Sequence, residues 1–252
     1  MDKTRDFILE GLSRFDLADL PGRPYDCAFD LLAATPSRKR LIMMGFNGSL
    51  ADSCMTNRQS ILQDYEHPFI SGIQEGIQGK WGITHLAKRL QQIPSCLGYS
   101  WEDVIYTNAL MMCSQNAATL RKEAACHDTT MNEIEANSMA FFEHVTAHLS
   151  EPDLIVAYSN SLQSLSAASL LLKHFGDATT LKFSQPKGYH TTFAFMANLN
   201  SRKIPVNAAT VFGAVGQGAT AYCAGSRSVA VQCLTAAVVR GSVAHGLFSG
   251  PG

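Results

Sequence analysis

The chain has 252 residues, of which 16% are charged and 46% hydrophobic, and its net charge is −1. This length and composition predict a compact protein with a substantial core and exclude an intrinsically disordered chain. No Asp or Glu follows Asp177, whereas six Lys and Arg residues do, which is compatible with an anionic partner or with a tail that is merely poor in charge.

Predicted helices and strands alternate along the chain, as in α/β proteins. Apolar residues recur with helical spacing in the helices, whereas the strands are continuous apolar runs, typical of a sheet covered on both faces. Pro94, Pro152 and Gly176 are expected to mark helix ends. The elements in chain order are helix 4–16, helix 27–34, strand 40–46, helix 83–93, strand 103–112, helix 131–149, strand 153–160, helix 162–176 and strand 179–184.

This alternation predicts an α/β fold, a three-layer αβα arrangement with a central, mostly parallel four-stranded sheet. The fold is expected to occupy residues 1–204. From residue 205 to residue 252 the sequence becomes rich in Ala, Gly, Val and Ser. We expect a C-terminal extension there, whose structure the sequence does not determine.

Polar residues stand near the ends of the predicted strands. Asn47, Asn108 and Asn160 occur at three of these ends, and His190 lies in the loop after the fourth strand. In a parallel sheet the carboxyl ends of the strands share one edge, and ligands bind beyond that edge. Taken singly, each asparagine is as readily a turn or helix-cap residue, and a lone histidine is often structural.

Seven cysteines, an odd number, are widely spaced and form no CxxC pair. This pattern argues against a disulfide framework, a zinc finger or an iron–sulfur cluster, and predicts free thiols in a reducing compartment. The histidines show no metal-ligand spacing. The N-terminal segment reads as an amphipathic helix rather than a signal peptide, and no run approaches the roughly 18 apolar residues of a membrane span. A cytoplasmic protein without metal or membrane contact is therefore expected.

Four segments together are similar to a known family. They read "MGFNGS" (44–49), "VIYTNALMM" (104–112), "PDLIVAYSNSLQS" (152–164) and "PKGYHTT" (186–192). In this order, over residues 35–200, the chain resembles the uracil-DNA glycosylase superfamily. The resemblance implies the αβα fold, a DNA base flipped out of the helix as substrate, and hydrolysis of its N-glycosidic bond without a cofactor.

The resemblance also assigns roles to particular residues. Asn47 is expected to activate the attacking water, Asn108 to read the base, and His190 to stabilise the departing base. The residues expected to contact the substrate are Gly45, Phe46, Gly48, Ser49, Asn108 and Asn160. The residues expected to hold DNA phosphates are Lys187, Arg202 and Lys203.

Departures from the family pattern bear on the substrate. Gly48 stands where members usually have proline, and Ser49 stands where uracil-specific members have a tyrosine that excludes a 5-methyl group. The histidine loop reads His-Thr-Thr instead of His-Pro-Ser. The lost bulk predicts a larger pocket, which suits a pyrimidine with a bulky 5-substituent.

The sequence thus predicts a monomeric, monofunctional DNA glycosylase of the bacterial cytoplasm. Its expected substrate is a 5-modified pyrimidine, such as glucosylated hydroxymethylcytosine in phage DNA, and its expected role is anti-phage defence. Three alternatives remain open. They are a repair glycosylase for uracil or a damaged pyrimidine, a non-catalytic nucleic-acid-binding relative, and an α/β enzyme that acts on nucleosides or nucleotides.

Overall fold

The computed structural model describes residues 3–22, 39–48, 55–64, 93–100, 103–115, 118–159, 161–184 and 192–208. The helix expected at 27–34 and most of the one at 83–93 lie outside these ranges. The described helices are α1 (Lys3–Arg14), α2 (Asn57–Asp64), α3 (Ile93–Leu97), α4 (Leu120–Ala125), α5 (Met131–Leu149) and α6 (Ala167–His174). The described strands are β1 (Pro21–Gly22), β2 (Lys39–Gly45), β3 (Met55–Thr56), β4 (Val104–Asn108), β5 (Ser150–Ala157), β6 (Gly176–Ser184), β7 (Thr192–Leu199) and β8 (Arg202–Ala208).

The main sheet has six strands in the order β4-β2-β5-β8-β7-β6, and β1 pairs separately with β3. Strands β4, β2, β5 and β8 are parallel to their neighbours in that series, whereas β7 is antiparallel to both β8 and β6. The prediction of an α/β chain with a mostly parallel sheet flanked by helices is confirmed, but the expected number of four strands is wrong. Strand β8 also crosses the expected boundary at residue 204, so residues 205–208 belong to the sheet.

Side chains alternate between the two faces of the central strands, as strand geometry requires. Ile42 and Met44 of β2 join the larger core, together with apolar residues of α1, α4, α5 and α6. Leu41 and Met43 join a smaller core on the opposite face, where Ile93 of α3 packs. Helices therefore cover both faces of the sheet, which explains why its strands read as unbroken apolar runs.

Helix caps fix where α5 and α6 begin. Thr130 caps α5 by a capping box with Glu133, and the hydrogen bonds from Thr130 lower the pKa of the Glu133 carboxyl below its usual value. The predicted bounds 131–149 are confirmed. Ser166 caps α6 in the same way through Ser169, so this helix begins at Ala167 rather than at 162.

Three residues expected to end helices have other positions. Pro94 lies inside α3, in its first turn, where proline lacks only a backbone N–H that the helix does not use. Pro152 lies inside β5, because α5 has already ended at Leu149. Gly176 opens β6, since α6 ends at His174.

Candidate functional site

The carboxyl ends of the parallel strands form one edge of the sheet, and the chain changes direction there. From β2 the chain leads to β4 on one side, and β5 then lies on the other side of β2. At such a switch point the connections diverge and leave a crevice between two strand ends, where α/β proteins bind ligands. In this chain the switch point lies between Gly45, which ends β2, and Tyr158, which follows β5, and we call this strand-end region the crevice.

Gly45 lies between two polar side chains on the neighbouring strands. Gly45 pairs with Asn108 in the parallel register, and Met44 pairs with Ala157, so Tyr158 lies beside Gly45 on the other side. A methyl group at Gly45 would contact the Tyr158 hydroxyl closely and would lie 2.6 Å from Asn108 Oδ1. The amide oxygen and the phenol thus converge above the glycine, and only glycine leaves room for both.

Asn47 is held by hydrogen bonds from its amide nitrogen. Nδ2 donates to Ser114 Oγ at 2.8 Å and to the Met112 carbonyl at 3.4 Å. Because a carbonyl oxygen can only accept, the Met112 contact identifies which end of the amide is the nitrogen. Oδ1 therefore points away from Ser114, and no residue in the described ranges donates to it.

The backbone on either side of Asn47 is fixed as well. The Ala109 and Leu110 amides donate to the Gly45 and Phe46 carbonyls, at 2.9 and 2.8 Å. The Ser114 amide donates to the Gly48 carbonyl at 3.0 Å. Hydrogen bonds thus join the segment that follows β2 to the segment that follows β4. They give Asn47 Oδ1 a defined position next to the crevice.

The floor of the crevice is apolar and poorly hydrated. Asn108 is 5% exposed, and Tyr106, two residues earlier on the same face, is buried against Leu41, Met43 and other members of the smaller core. Burial, reinforced by the neighbouring Tyr158, raises the pKa of the Tyr106 hydroxyl well above its usual value. Tyr106 is therefore neutral, and hydrogen bonds made at this site are stronger than hydrogen bonds in water.

Several predicted site residues are brought together here. Gly45, Asn47, Gly48 and Asn108 all lie at the crevice edge, and Gly48 is buried. Phe46 is half-buried and packs against the larger core. Four predicted site residues lie outside the described residues, namely Ser49, Asn160, Lys187 and His190.

The strands that flank the His190 loop lie far across the sheet. Thr192 begins β7, three strand spacings from β2, and Ser184 ends β6, four spacings from β2. These spacings correspond to about 14 and 19 Å. The strand before His190 is therefore an edge strand, which pairs with β7. The parallel neighbour of β5 on that side is β8.

Arg202 and Lys203 lie at the opposite edge of the sheet. Both residues begin β8, whereas Ala208 ends it at the crevice edge, about 20 Å away. Arg202 Nη1 lies 4.0 Å from a carboxylate oxygen of Glu151, at the start of β5. The structure does not bring these two cations together with Asn47 and Asn108, and their role as DNA contacts stays a prediction.

Tyr158 and Ser114 adjoin this site, although neither residue was predicted from the sequence. Strand 153–160 was expected to end at Asn160, but β5 ends at Ala157. The alternation of β5 then carries Tyr158 to the face that holds Leu154 and Val156. A signal was present, since Tyr158 is the first polar-tipped residue after the apolar run, whereas nothing in the sequence identified Ser114 as the partner of Asn47.

Within the described part of the chain, no group of three or more His, Cys, Asp or Glu residues could hold a metal ion. Among the described helices, none is long and apolar enough to cross a membrane. No family model matches this chain, and no curated protein or solved structure matches it either.

Proposed function

We propose that the protein is a DNA glycosylase that hydrolyses the N-glycosidic bond of a flipped pyrimidine. One observation carries the proposal. Two asparagine amides, one buried and one with a free acceptor, flank the glycine that ends β2 at the switch point of the sheet. This arrangement agrees with the roles that the resemblance to the uracil-DNA glycosylase superfamily gives to Asn47 and Asn108.

Asn108 is proposed to read the base. Its amide offers one acceptor and two donors, which match the edge of a pyrimidine ring. Because the amide is buried, a base with the wrong edge would leave polar atoms unpaired, and such mismatches discriminate strongly. Gly45 leaves room for this amide and the Tyr158 hydroxyl side by side, so both polar groups are presented at the same point.

Asn47 is proposed to position the attacking water. A carboxamide is a poor base, but Oδ1 accepts a hydrogen bond and so orients a water toward the sugar carbon. Orientation is effective when the sugar develops oxocarbenium character and the base leaves as a stabilised anion. The Met112 carbonyl can only accept, which disfavours turning the amide over, and the bond to Ser114 holds the side chain in place.

Tyr158 is proposed to hydrogen-bond to the departing base. Its hydroxyl adjoins Gly45, whereas the strands beside the His190 loop lie about 14 and 19 Å across the sheet. A phenol can donate to a carbonyl oxygen on which negative charge develops. In this proposal Tyr158 shares the role that the resemblance gives to His190, which lies outside the described residues.

A pyrimidine with a bulky 5-substituent is the proposed substrate class, and defence against phages with modified DNA is the proposed role. The support is the lost bulk at Gly48 and Ser49. Repair of uracil stays the alternative, because the Asn108 amide can turn to match either uracil or cytosine.

The test uses three DNAs, which contain uracil, plain cytosine, or glucosylated hydroxymethylcytosine. Abasic sites are measured by alkaline cleavage for the wild type, Asn47→Ala and the matched control Asn132→Ala, an exposed residue of α5. We expect cleavage of the glucosylated DNA alone, a rate at least about 10²-fold lower in Asn47→Ala, and no change in Asn132→Ala.

Other outcomes would identify the alternatives. Cleavage of uracil DNA would indicate a repair enzyme. Binding of DNA without cleavage of any substrate would refute the glycosylase and favour a non-catalytic nucleic-acid-binding protein. Binding of free nucleosides but not of DNA would favour an enzyme that acts on small molecules.

A further inference from the structure

Asn207 of β8 is a buried amide without a hydrogen-bond partner. The residue is 2% exposed, and no residue in the described part of the chain is a hydrogen-bond partner of its Nδ2 or Oδ1. Burial of an unpaired amide is unfavourable, and nearly all buried polar side chains in native proteins are paired. By contrast Asn57, which is 0% exposed, donates to the Leu17 carbonyl at 2.9 Å and to the Met111 carbonyl at 2.6 Å. Asn207 is therefore an exception that requires a reason.

Asn207 lies on the same face of the sheet as the crevice. Its neighbours Val206 and Ala208 belong to the larger core, so the alternation of β8 turns Asn207 to the opposite face. Across the sheet it pairs with Val156, a member of the smaller core two residues before Tyr158. Asn207 thus lies one strand beyond Tyr158 and close to the carboxyl edge.

The flanking residues explain why the amide is unpaired. On β7 its partner in the register is Ala194, and on β5 it is Val156, and neither side chain has a polar atom. The backbone groups of these strands form the sheet ladder, so a partner for the amide must come from outside the sheet. An amide with one acceptor and two donors suits hydroxyl groups, which both donate and accept.

The spacing of the strands defines the size of the ligand. Asn207 lies three strand spacings across the sheet from Asn108 and two residues further from the carboxyl edge, a combined distance of about 16 Å. A bare pyrimidine that Asn108 reads is too small to reach Asn207, whereas a pyrimidine with a hexose on its 5-position extends much further. We propose that Asn207 binds the hydroxyl groups of a sugar on the 5-position of the flipped base. This inference rests on the proposed function and specifies the substrate class of that site.

The first experiment measures stability without DNA. Asn207→Leu removes an unpaired buried amide, so we expect a Tm about 2–4 °C above that of the wild type. Asn57→Leu is the matched control, because it removes a buried amide that has partners, and its Tm should fall by at least as much. A Tm of Asn207→Leu equal to or below that of the wild type would show that this amide is already satisfied in the free protein, and would overturn the proposal.

The second experiment measures affinity for DNA with glucosylated hydroxymethylcytosine and for the same DNA with plain cytosine. We expect the wild type to prefer the glucosylated DNA. Asn207→Leu should bind the glucosylated DNA at least about 10-fold more weakly and the plain DNA with unchanged affinity. Equal affinity of wild type and variant for glucosylated DNA, or no preference in the wild type, would overturn the proposal.

The two proposals fail in different ways. If the wild type prefers glucosylated DNA through Asn207 but produces no abasic sites, the glycosylase activity is refuted and the sugar site stands. If Asn207→Leu cleaves glucosylated DNA as fast as the wild type, while Asn47→Ala does not cleave it, the glycosylase stands and the sugar site is refuted.

Discussion

Substitution of Gly45 by alanine tests the central geometry of the site. The added methyl group would lie 2.6 Å from Asn108 Oδ1 and 2.8 Å from Tyr158 Cζ, with the Tyr158 hydroxyl closer still. A methyl carbon does not lie within 3.0 Å of a heavy atom to which it is not bonded, so the side chain of Asn108 or of Tyr158 must move. Asn108 is 5% exposed, and a buried side chain has little room to move.

The magnitude follows from this overpacking. Inserting a methyl group into a packed site costs about 1–3 kcal/mol. For a chain of this size, each kcal/mol lowers Tm by about 2–4 °C, so we expect Gly45→Ala to melt roughly 2–12 °C below the wild type. The effect on activity should be larger, because a displacement of about 1 Å in a positioned group can reduce a rate about 10²-fold.

The assay combines thermal melting with the abasic-site measurement. Gly98→Ala is the matched control, because Gly98 has φ of +84° and nothing lies within 4 Å of the added methyl group. Backbone strain should destabilise this control by about 1–2 kcal/mol without loss of activity. A Gly45→Ala variant with the Tm and activity of the wild type would refute the inference that Asn108 and Tyr158 close on this glycine.

Three further predictions concern other contacts. Ser114→Ala removes the 2.8 Å hydrogen bond that orients Asn47, so we expect abasic-site formation to be about 10-fold slower, with Tm lowered by only a few degrees. Lys173→Met leaves the carboxylate of Glu135, 8% exposed, without its ammonium partner at 2.7 Å. Because the Lys173 side chain is 58% exposed, urea unfolding should show a loss of about 1–2 kcal/mol, below the loss for a fully buried pair. Burial, with a neighbouring histidine and arginine, lowers the pKa of His144 below 6.5. The folded state therefore favours the neutral imidazole of His144. Neutral His144 contributes stability that is present above pH 6.5 and is lost as the pH falls through the lowered pKa. We expect His144→Phe to flatten the dependence of Tm on pH below 6.5.

Each of these variants has a control on an exposed residue of the same type, namely Ser13→Ala, Lys122→Met and His127→Phe. A normal rate in the Ser114 variant would mean that Asn47 needs no anchor. Full stability of the Lys173 variant would mean that solvent replaces the ammonium group. An unchanged pH dependence in the His144 variant would place the titration elsewhere, for example at His174, whose pKa is also lowered by burial.

The parts of the fold that depend on local sequence could be predicted. Helix α5 has an apolar face and a capping box between Thr130 and Glu133, and both signals are visible in the sequence. Strands β2, β4 and β5 are apolar runs, because helices cover both faces of the sheet there. Strand β8 escaped prediction since it begins with two exposed cations and contains Pro205.

The parts of the site that depend on strand pairing could not be predicted. Asn47 and Asn108 were found because each follows or ends an apolar run. The register of β5 against β2 places Tyr158 beside Gly45. The register of β5 against β8 places Asn207 on the same face of the sheet as these two residues. Register is set by the packing of distant segments, which the sequence of one strand does not reveal. For the same reason, the change in composition at residue 205 was interpreted as a domain boundary, although β8 continues through it.

The distribution of charge indicates how a DNA strand would be held at this site. The phosphates that flank a flipped nucleotide lie next to its sugar, whereas Arg202 begins β8 about 20 Å from the crevice edge and adjoins Glu151. At the crevice edge, the connection from β5 to α6 contains Ser161, whose hydroxyl accepts from the Gln163 and Ser164 amides, and Ser164 is exposed. Because these two amides already have an acceptor, the exposed Ser164 hydroxyl is the group that this connection offers to a phosphate. A phosphate contact of this kind would add little to the salt dependence of DNA binding, because a neutral hydroxyl releases no counterion.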